Sequence, residues 1–324
     1  MNIDSIIAEW RNKISLTYLN EEVDQLEPIV REILQLKRDK NVFILGHNYM
    51  TPDVFYGISD VTGDSLELSK RARDSHSEII LFNGVHFMAE TAKILNPTRK
   101  ILIADLDAGC SLAESMAAED VRNLRKKFPG IPIVSYINCT ADVKAEVDVI
   151  CTSANAVRIV DSLASDTVIV VPDGYLAENI QKHTRKNIIA WPGKCMVHEL
   201  YTPFDVEIAR RAHPKAKIIA HPECKTSVTE KVDFTGSTSQ MGKYIEDSKA
   251  TDVLLLTECS MGDNLRSNFP LVNFISSCQT CPHMKKITLK KIRDALLYEQ
   301  FEITLPASII EKAQRSLNRM LAVA

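Results

Sequence analysis

Three cysteines, Cys110, Cys195 and Cys281, lie 85 and 86 residues apart, each shortly after an apolar run that ends in a turn. A long fixed period is what a chain shows when one supersecondary unit occurs several times, and it restricts the fold more than any local signal. Other landmarks keep the same period. Each unit opens on a strand-like run that ends in polar residues, at 42–49, 133–138 and 217–223. A hydroxyl-rich turn follows in each: Thr62-Gly-Asp-Ser65, Cys151-Thr-Ser-Ala-Asn155 and Thr235-Gly-Ser-Thr238. Ser65, Ser153 and Thr238 are therefore 88 and 85 residues apart. Next come a second apolar run (79–82, 168–171, 253–256), a helical stretch containing Glu90, Glu178 or Asp263, and a third run (101–104, 187–191, 272–275) leading into the cysteine.

The runs are short, continuous and rich in Val and Ile, which suits strands buried on both faces of a parallel sheet. Helical segments at 65–73, 86–95, 154–163, 176–183 and 205–212 alternate with them. Such alternation predicts an α/β fold: three similar three-layer αβα units with parallel sheets, arranged around a pseudo-threefold axis. A chain of 324 residues exceeds one typical core. The expected division is a helical segment at 1–40, repeats at 41–128, 129–213 and 214–298, and a helical segment at 299–324. Val23, Leu26, Ile29, Val30, Ile33 and Leu34 form one helical stripe, with Pro28 placed near the start of that helix. Leu289, Ile292 and Leu296, then Ile309, Ile310, Ala313, Leu317 and Leu321, mark closing helices separated near Pro306.

With 45% hydrophobic residues, 25% charged and a net charge of −3, the chain reads as an ordinary globular protein with no nucleic-acid or membrane partner. Its first ten residues lack the apolar core of a signal peptide, and no run approaches the ~20 apolar residues of a membrane span. A cytoplasmic location is expected, where the eight cysteines would be mostly reduced thiols.

In parallel sheets ligands bind beyond the carboxyl ends of the strands, where all the repeated polar positions fall. Three units with strand ends facing inward would bring one cysteine from each to the centre. Thiolates select zinc or iron-sulfur clusters, and three of them leave one iron of a four-iron cluster open as a Lewis acid. Cys278-Gln-Thr-Cys281 is also a CxxC pair able to bind zinc or cycle as a dithiol. The period favours Cys281 over Cys278 by a narrow margin. Cys139, Cys151, Cys224 and Cys259 read as small buried filler. Ser65, Ser153 and Thr238 are placed like helix N-caps, whose free N–H groups attract anions. Neither a GxGxxG fingerprint nor a GxxxxGKS/T loop is present. His47, Tyr49, Tyr136, Asn138, His221 and Glu223 supply proton donors and acceptors, with His198 able to line the same pocket. His76, His183 and His213 read as solvated.

These motifs together resemble the quinolinate synthase family, the iron-sulfur enzymes of NAD biosynthesis. Gly46-His-Asn-Tyr49, Gly63-Asp-Ser65, Tyr136-Ile-Asn138, Cys151-Thr-Ser-Ala-Asn-Ala156, His221-Pro-Glu-Cys224 and Gly236-Ser-Thr-Ser-Gln-Met241 carry the resemblance. It implies three α/β domains around a 4Fe–4S cluster, held here by Cys110, Cys195 and Cys281. It also implies condensation of iminoaspartate (iminosuccinate) with dihydroxyacetone phosphate to give quinolinate, phosphate and water. His47, Ser65, Tyr136, Asn138, Ser153, His221, Glu223 and Thr238 would bind the substrates. Glu223, Tyr49 and His221 would be the catalytic groups, and L-aspartate oxidase a functional partner. Some members carry CxxCxxC where this chain has Cys278-Gln-Thr-Cys281-Pro-His-Met284, so the last position is not cysteine and the ligand carries over least directly at this corner; Cys278 is expected not to be a ligand and to be able to form a reversible disulfide with Cys281. Two other readings remain at this point: a metal-free anion-binding protein with structural cysteines, and a zinc or dithiol protein centred on Cys278 and Cys281.

Overall fold

The computed structural model describes residues 2–276 and 278–323. Helices α1 (Ile3–Ile14) and α2 (Asn20–Asp39) precede the first unit. That unit runs β1 (Val42–His47), α3 (Pro52–Gly57), β2 (Val61–Gly63), α4 (Ser65–Asp74), β3 (Ile79–Asn83), α5 (His86–Leu95), β4 (Lys100–Ile103). The second runs α6 (Ala118–Lys127), β5 (Ile133–Tyr136), α7 (Ala141–Glu146), β6 (Val149–Cys151), α8 (Ala156–Ser162), β7 (Thr167–Val171), α9 (Gly174–Gln181), β8 (Asn187–Ala190). The third runs α10 (Pro203–Ala212), β9 (Lys217–Ala220), α11 (Thr226–Thr229), β10 (Phe234–Thr235), α12 (Thr238–Ser248), β11 (Asp252–Leu256), α13 (Ser260–Arg266), β12 (Asn273–Ile275). Helices α14 (Leu289–Tyr298) and α15 (Ala307–Val323) close the chain.

The result is three four-stranded sheets flanked by helices, of orders β2-β1-β3-β4, β6-β5-β7-β8 and β10-β9-β11-β12. The central pairs are parallel: Val42↔Ile79 through Gly46↔Asn83, Ile133↔Ile169 through Ser135↔Val171, and Lys217↔Val253 through Ala220↔Leu256. In each order the chain reverses its direction of winding between the first and third strands. That switch point opens a crevice at the carboxyl ends. The short strands β2, β6 and β10 lie inside or beside the hydroxyl turns, and at two or three residues they are too brief to leave a periodic signal.

By internal contacts the chain forms two compact bodies, Met1–Gly109 with Glu258–Thr304, and Cys110–Thr257 with Leu305–Ala324. In the first, α2 packs on α14 and α1 packs on α3. Trp10 is fully buried there and its indole N–H donates to the Asp53 carbonyl at 3.3 Å. Pro28 lies in the interior of α2 rather than near its start, on an exposed face. In the second body α15 packs on α7 and β6, and Ser316 Oγ donates to the Lys144 carbonyl at 2.7 Å. No helix among the described residues is long and apolar enough to cross a membrane.

One repeated contact sets the first strand of every unit. Asp60, Asp148 and Asp233 each accept the backbone N–H of a residue in that strand: Ile44 at 2.7 Å, Ile133 at 2.8 Å and Ile218 at 2.8 Å. Each also pairs with a cation from the preceding helix: Lys37 at 2.7 Å, Arg125 at 3.1 Å and Arg210 at 2.7 Å. The carboxylate thus ties helix to strand. For Asp233, burial favours the neutral form, but the Ile218 N–H and Arg210 outweigh it and lower the pKa. A lowered folded pKa contributes stability above the unfolded value of about 3.9, and that contribution is lost as pH falls through the folded value. Asp233→Asn is therefore expected to lose about 1–3 kcal/mol at neutral pH. In urea titrations its deficit against the wild type should shrink in acid; a deficit that does not depend on pH would contradict this account.

Candidate active site

The proposed site residues occupy the carboxyl ends of the first strands. His47 closes β1, Tyr136 closes β5 and His221 directly follows β9. Tyr49, Asn138 and Glu223 stand two residues further on. The geometry repeats in detail. Tyr49 N–H donates to His47 Nδ1 at 3.2 Å, and Glu223 N–H donates to His221 Nδ1 at 3.3 Å. In both units Nδ1 of the strand-end histidine faces a backbone N–H two residues on. The His47 and Tyr49 rings meet edge to face, centroids 4.8 Å apart.

In the second body the strand ends build a connected buried cluster around Glu223. Its Oε1 accepts from the Tyr136 hydroxyl at 2.6 Å, and its Oε2 lies 2.9 Å from His198 Nδ1. His221 stacks on His198 with centroids 4.7 Å apart. His198 Nδ1 is also 3.2 Å from Cys195 Sγ, and its Nε2 is 3.0 Å from Thr257 Oγ1. Burial works against the Glu223 charge, yet His198 and His221, with hydrogen bonds from His198 and Tyr136, hold its carboxyl well below the usual carboxylate range. Asp173, fully buried at the N-cap of α9, shows the opposite. Burial and the Glu223 charge push its pKa well up, and Oδ2 has no hydrogen-bond partner among the described residues.

The three periodic cysteines sit in equivalent turns. A short 3₁₀ segment begins three residues after each, at Ala113, His198 and Met284. The residue four further on closes the turn: Glu114, Glu199 and Lys285 donate their N–H to the carbonyls of Cys110, Cys195 and Cys281 at 3.0, 3.0 and 3.2 Å. Helices α6, α10 and α14 then start at the same offset. For Cys195 the N–H groups of Val197 and His198 favour the thiolate, and for Cys281 those of His283 and Met284 do the same. Burial is the larger effect in both and raises the thiol pKa; Glu223 and Cys110 push Cys195 further up. The Cys110 and Cys195 loops are joined by Trp191 Nε1 donating to the Ser115 carbonyl at 3.3 Å and Met196 N–H donating to Ser111 Oγ at 3.2 Å. A Cβ on Gly193 would run into the Pro172 carbonyl and Ser115 Oγ, so only glycine lets these loops approach.

Cys278 does not share this turn. It is bonded to Cys259, while Cys281 is a free, half-buried thiol, so the structure replaces the expected Cys278–Cys281 pairing. Cys259 is therefore not buried filler. Cys139, Cys151 and Cys224 are buried and outside any disulfide, as expected.

The hydroxyl turns are offset from the expected capping pattern. The N-caps are Asp64, Asn155 and Ser237; Ser65 and Thr238 are the first helical residues, and Ser153 lies in the turn before α8. Asp64 accepts from Leu66 and Glu67 N–H, and Ser237 accepts from Gln240 N–H. His76, His183 and His213 are exposed, as expected. The residues 52–57 form α3, whose N-terminal approach is held by Asn264 Nδ2 donating to the carbonyls of Asn48 at 2.9 Å and Met50 at 2.7 Å.

A family model described as quinolinate synthetase A protein matches residues 31–322. The chain belongs to the quinolinate synthase family. It is 50% identical to the quinolinate synthase of Caulobacter vibrioides over 298 residues, 91% of this chain and 81% of that one. It is 48% identical to quinolinate synthase 2 of Mesorhizobium japonicum over 318 residues, 95% and 98% of the two chains. The quinolinate synthase of Xylella fastidiosa is 50% identical over 294 residues, 91% of this chain and 87% of that one.

Within this quinolinate synthase fold, His198 is the site residue least visible in the sequence. Its only signal is position: three residues after a periodic cysteine, where the other two units carry Ala113 and Met284. Cys195, His198 and Glu223 place one ligand atom each within 4.8 Å of one another, a set able to bind a metal ion. Tyr136→Phe removes a hydrogen bond to a buried carboxylate, and a loss of about 1.5–3 kcal/mol is expected in anaerobic denaturation. A loss under about 0.5 kcal/mol would mean that Tyr136 contributes little to holding Glu223.

Proposed function

We propose that this chain condenses iminoaspartate with dihydroxyacetone phosphate to form quinolinate, releasing one phosphate and two waters. We further propose that Cys110, Cys195 and Cys281 are the protein ligands of a 4Fe–4S cluster. The family membership supports both, and so does the donor set: soft thiols at equivalent positions, each in a turn of the same construction. Cys278 is consumed in a disulfide, which leaves Cys281 as the thiol of the CxxC pair, while Cys224 is fully buried. When bound, such a cluster offers an open iron that polarises a hydroxyl or carboxylate oxygen.

The observation that carries the catalytic reading is the convergence of Tyr136, His198 and His221 on the buried Glu223. Glu223 stands where it can take a proton from a bound carbon acid, and loss of its contacts to His198 or Tyr136 as substrate enters would raise its basicity; Tyr136, bonded to Oε1, can pass a proton on. His221, stacked on His198 beside Glu223, serves as a further acid/base group. Tyr49, fixed against His47, serves as a second acid/base group. Ser65, Asn138, Ser153 and Thr238, with His47, bind carboxylate or phosphate oxygens. We place the enzyme in the cytoplasm, as a condensing and dehydrating transferase with L-aspartate oxidase as the source of its short-lived imine.

Cys110→Ser, Cys195→Ser and Cys281→Ser are each expected to lose the iron of anaerobically reconstituted protein, whereas Cys278→Ser keeps it. Iron analysis with Mössbauer spectra before and after a dicarboxylate is added reads the outcome. Four irons, one of them shifted by the ligand, would match; retention of a full cluster in any of the first three variants would remove that cysteine from the set. Glu223→Gln should fold and load iron but lower kcat for quinolinate by roughly 10²–10⁴. A kcat within threefold of wild type would refute Glu223 as the base.

A further inference from the structure

Glu258 and Lys285 form an ion pair that the reading above leaves without a role. Glu258 begins the segment after β11 and is 1% exposed, so its charge needs a close partner. Lys285 Nζ lies 2.8 Å from Glu258 Oε1. The same ammonium donates to Ser260 Oγ at 2.6 Å and to the Tyr49 backbone carbonyl at 2.9 Å, which uses all three of its N–H bonds. The carboxylate is equally engaged. Oε2 accepts the Ser260 N–H at 2.8 Å, and Oε1 lies 3.3 Å from the Cys281 N–H. Lys285 also closes the Cys281 turn through its own N–H. All of these groups belong to the first body.

We propose that Glu258 and Lys285 are positioning residues that lock the Tyr49 main chain and the Cys281 turn into one element. The inference rests on the roles given above to Tyr49 and Cys281. Tyr49 is gripped at both ends of its backbone: its N–H goes to His47 Nδ1 and its C=O to Lys285 Nζ. That grip fixes the main chain from which the phenol projects. On the other side, Glu258 Oε1 receives both Lys285 Nζ and the Cys281 N–H, so displacing the ammonium disturbs the thiol-bearing turn and Tyr49 together. A neutral side chain at 285 leaves a buried carboxylate without its cation and the Tyr49 carbonyl without its donor. An arginine keeps the charge, but its planar fork does not reproduce three donors radiating from one nitrogen.

The test compares wild type, Lys285→Met, Glu258→Gln and the double variant. Iodoacetamide labelling of each cysteine in metal-free protein, resolved by peptide mass spectrometry, is read beside kcat and KM of the reconstituted enzyme. Lys285→Met is expected to speed alkylation of Cys281 by about fivefold or more while Cys110 and Cys195 keep their rates, the mark of local opening rather than general loosening. Its kcat should fall about tenfold or more with KM for dihydroxyacetone phosphate nearly unchanged. The double variant should be no worse than Lys285→Met, because the two side chains act as a unit. Unchanged Cys281 labelling, equal acceleration at all three cysteines, an unchanged kcat, or additive losses in the double variant would each overturn the proposal. If Lys285→Met does not fold, Glu258→Gln, which keeps the shape and an oxygen acceptor, is judged by the same labelling and kinetic criteria. Should wild type prove to bind no cluster, the labelling comparison still decides whether the pair holds the Cys281 turn.

Discussion

Parallel strand pairing is the constraint on which the rest of this protein depends. A parallel pair cannot be closed by a tight turn, so each return passes through a helix, and every loop that can carry chemistry collects at the carboxyl ends. The order shared by the three sheets puts the switch point beside the first strand of each unit. His47, Tyr136 and His221 stand there because the strand ends there. The aspartates at 60, 148 and 233 fix the other end of the same strand to the helix before it. Position at the chemical end is thus set by a contact made at the structural end.

Charge at the site is balanced locally. Glu223 stays ionised inside the second body because three partners converge on two oxygens, whereas Asp173, equally buried, has backbone donors on one oxygen only. Two carboxyl groups of similar burial have their pKa values shifted in opposite directions by their hydrogen bonds and neighbours. In the first body the buried Glu258 is met by Lys285 and by the N–H groups of Ser260 and Cys281. Both solutions use a residue that follows a periodic cysteine: His198 is three after Cys195 and Lys285 is four after Cys281. The turns that present the thiols therefore also supply the counter-charges for nearby buried acids.

Much of the fold was legible in the sequence because its signals are periodic. Nine of the strands appear as Val- and Ile-rich runs, and the helices after them keep a stripe or a cap. The remaining strands, β2, β6 and β10, are only two or three residues long and adjoin the hydroxyl turns, so pairing to a neighbour rather than a run of residues defines them. The capping error at Ser65 and Thr238 has a simple source: Asp64 and Ser237 are also good caps, and adjacent candidates cannot be ranked without the backbone angles. The cysteine choice shows the reverse case. Spacing separated Cys281 from Cys278 by a narrow margin, but the repeated turn after Cys110, Cys195 and Cys281 distinguishes them by construction.

The sequence by itself determined the repeat, the α/β class, the family and the identity of the polar side chains at the strand ends, since these follow from order and spacing along the chain. Only the tertiary structure decided that His198 bridges Cys195 and Glu223, that Cys259 pairs with Cys278, and that Lys285 joins Tyr49 to Glu258. Each of these contacts links residues that are 19 or more positions apart on at least one side. Such meetings depend on how strands and turns are brought together in space, and chain order carries no direct record of them.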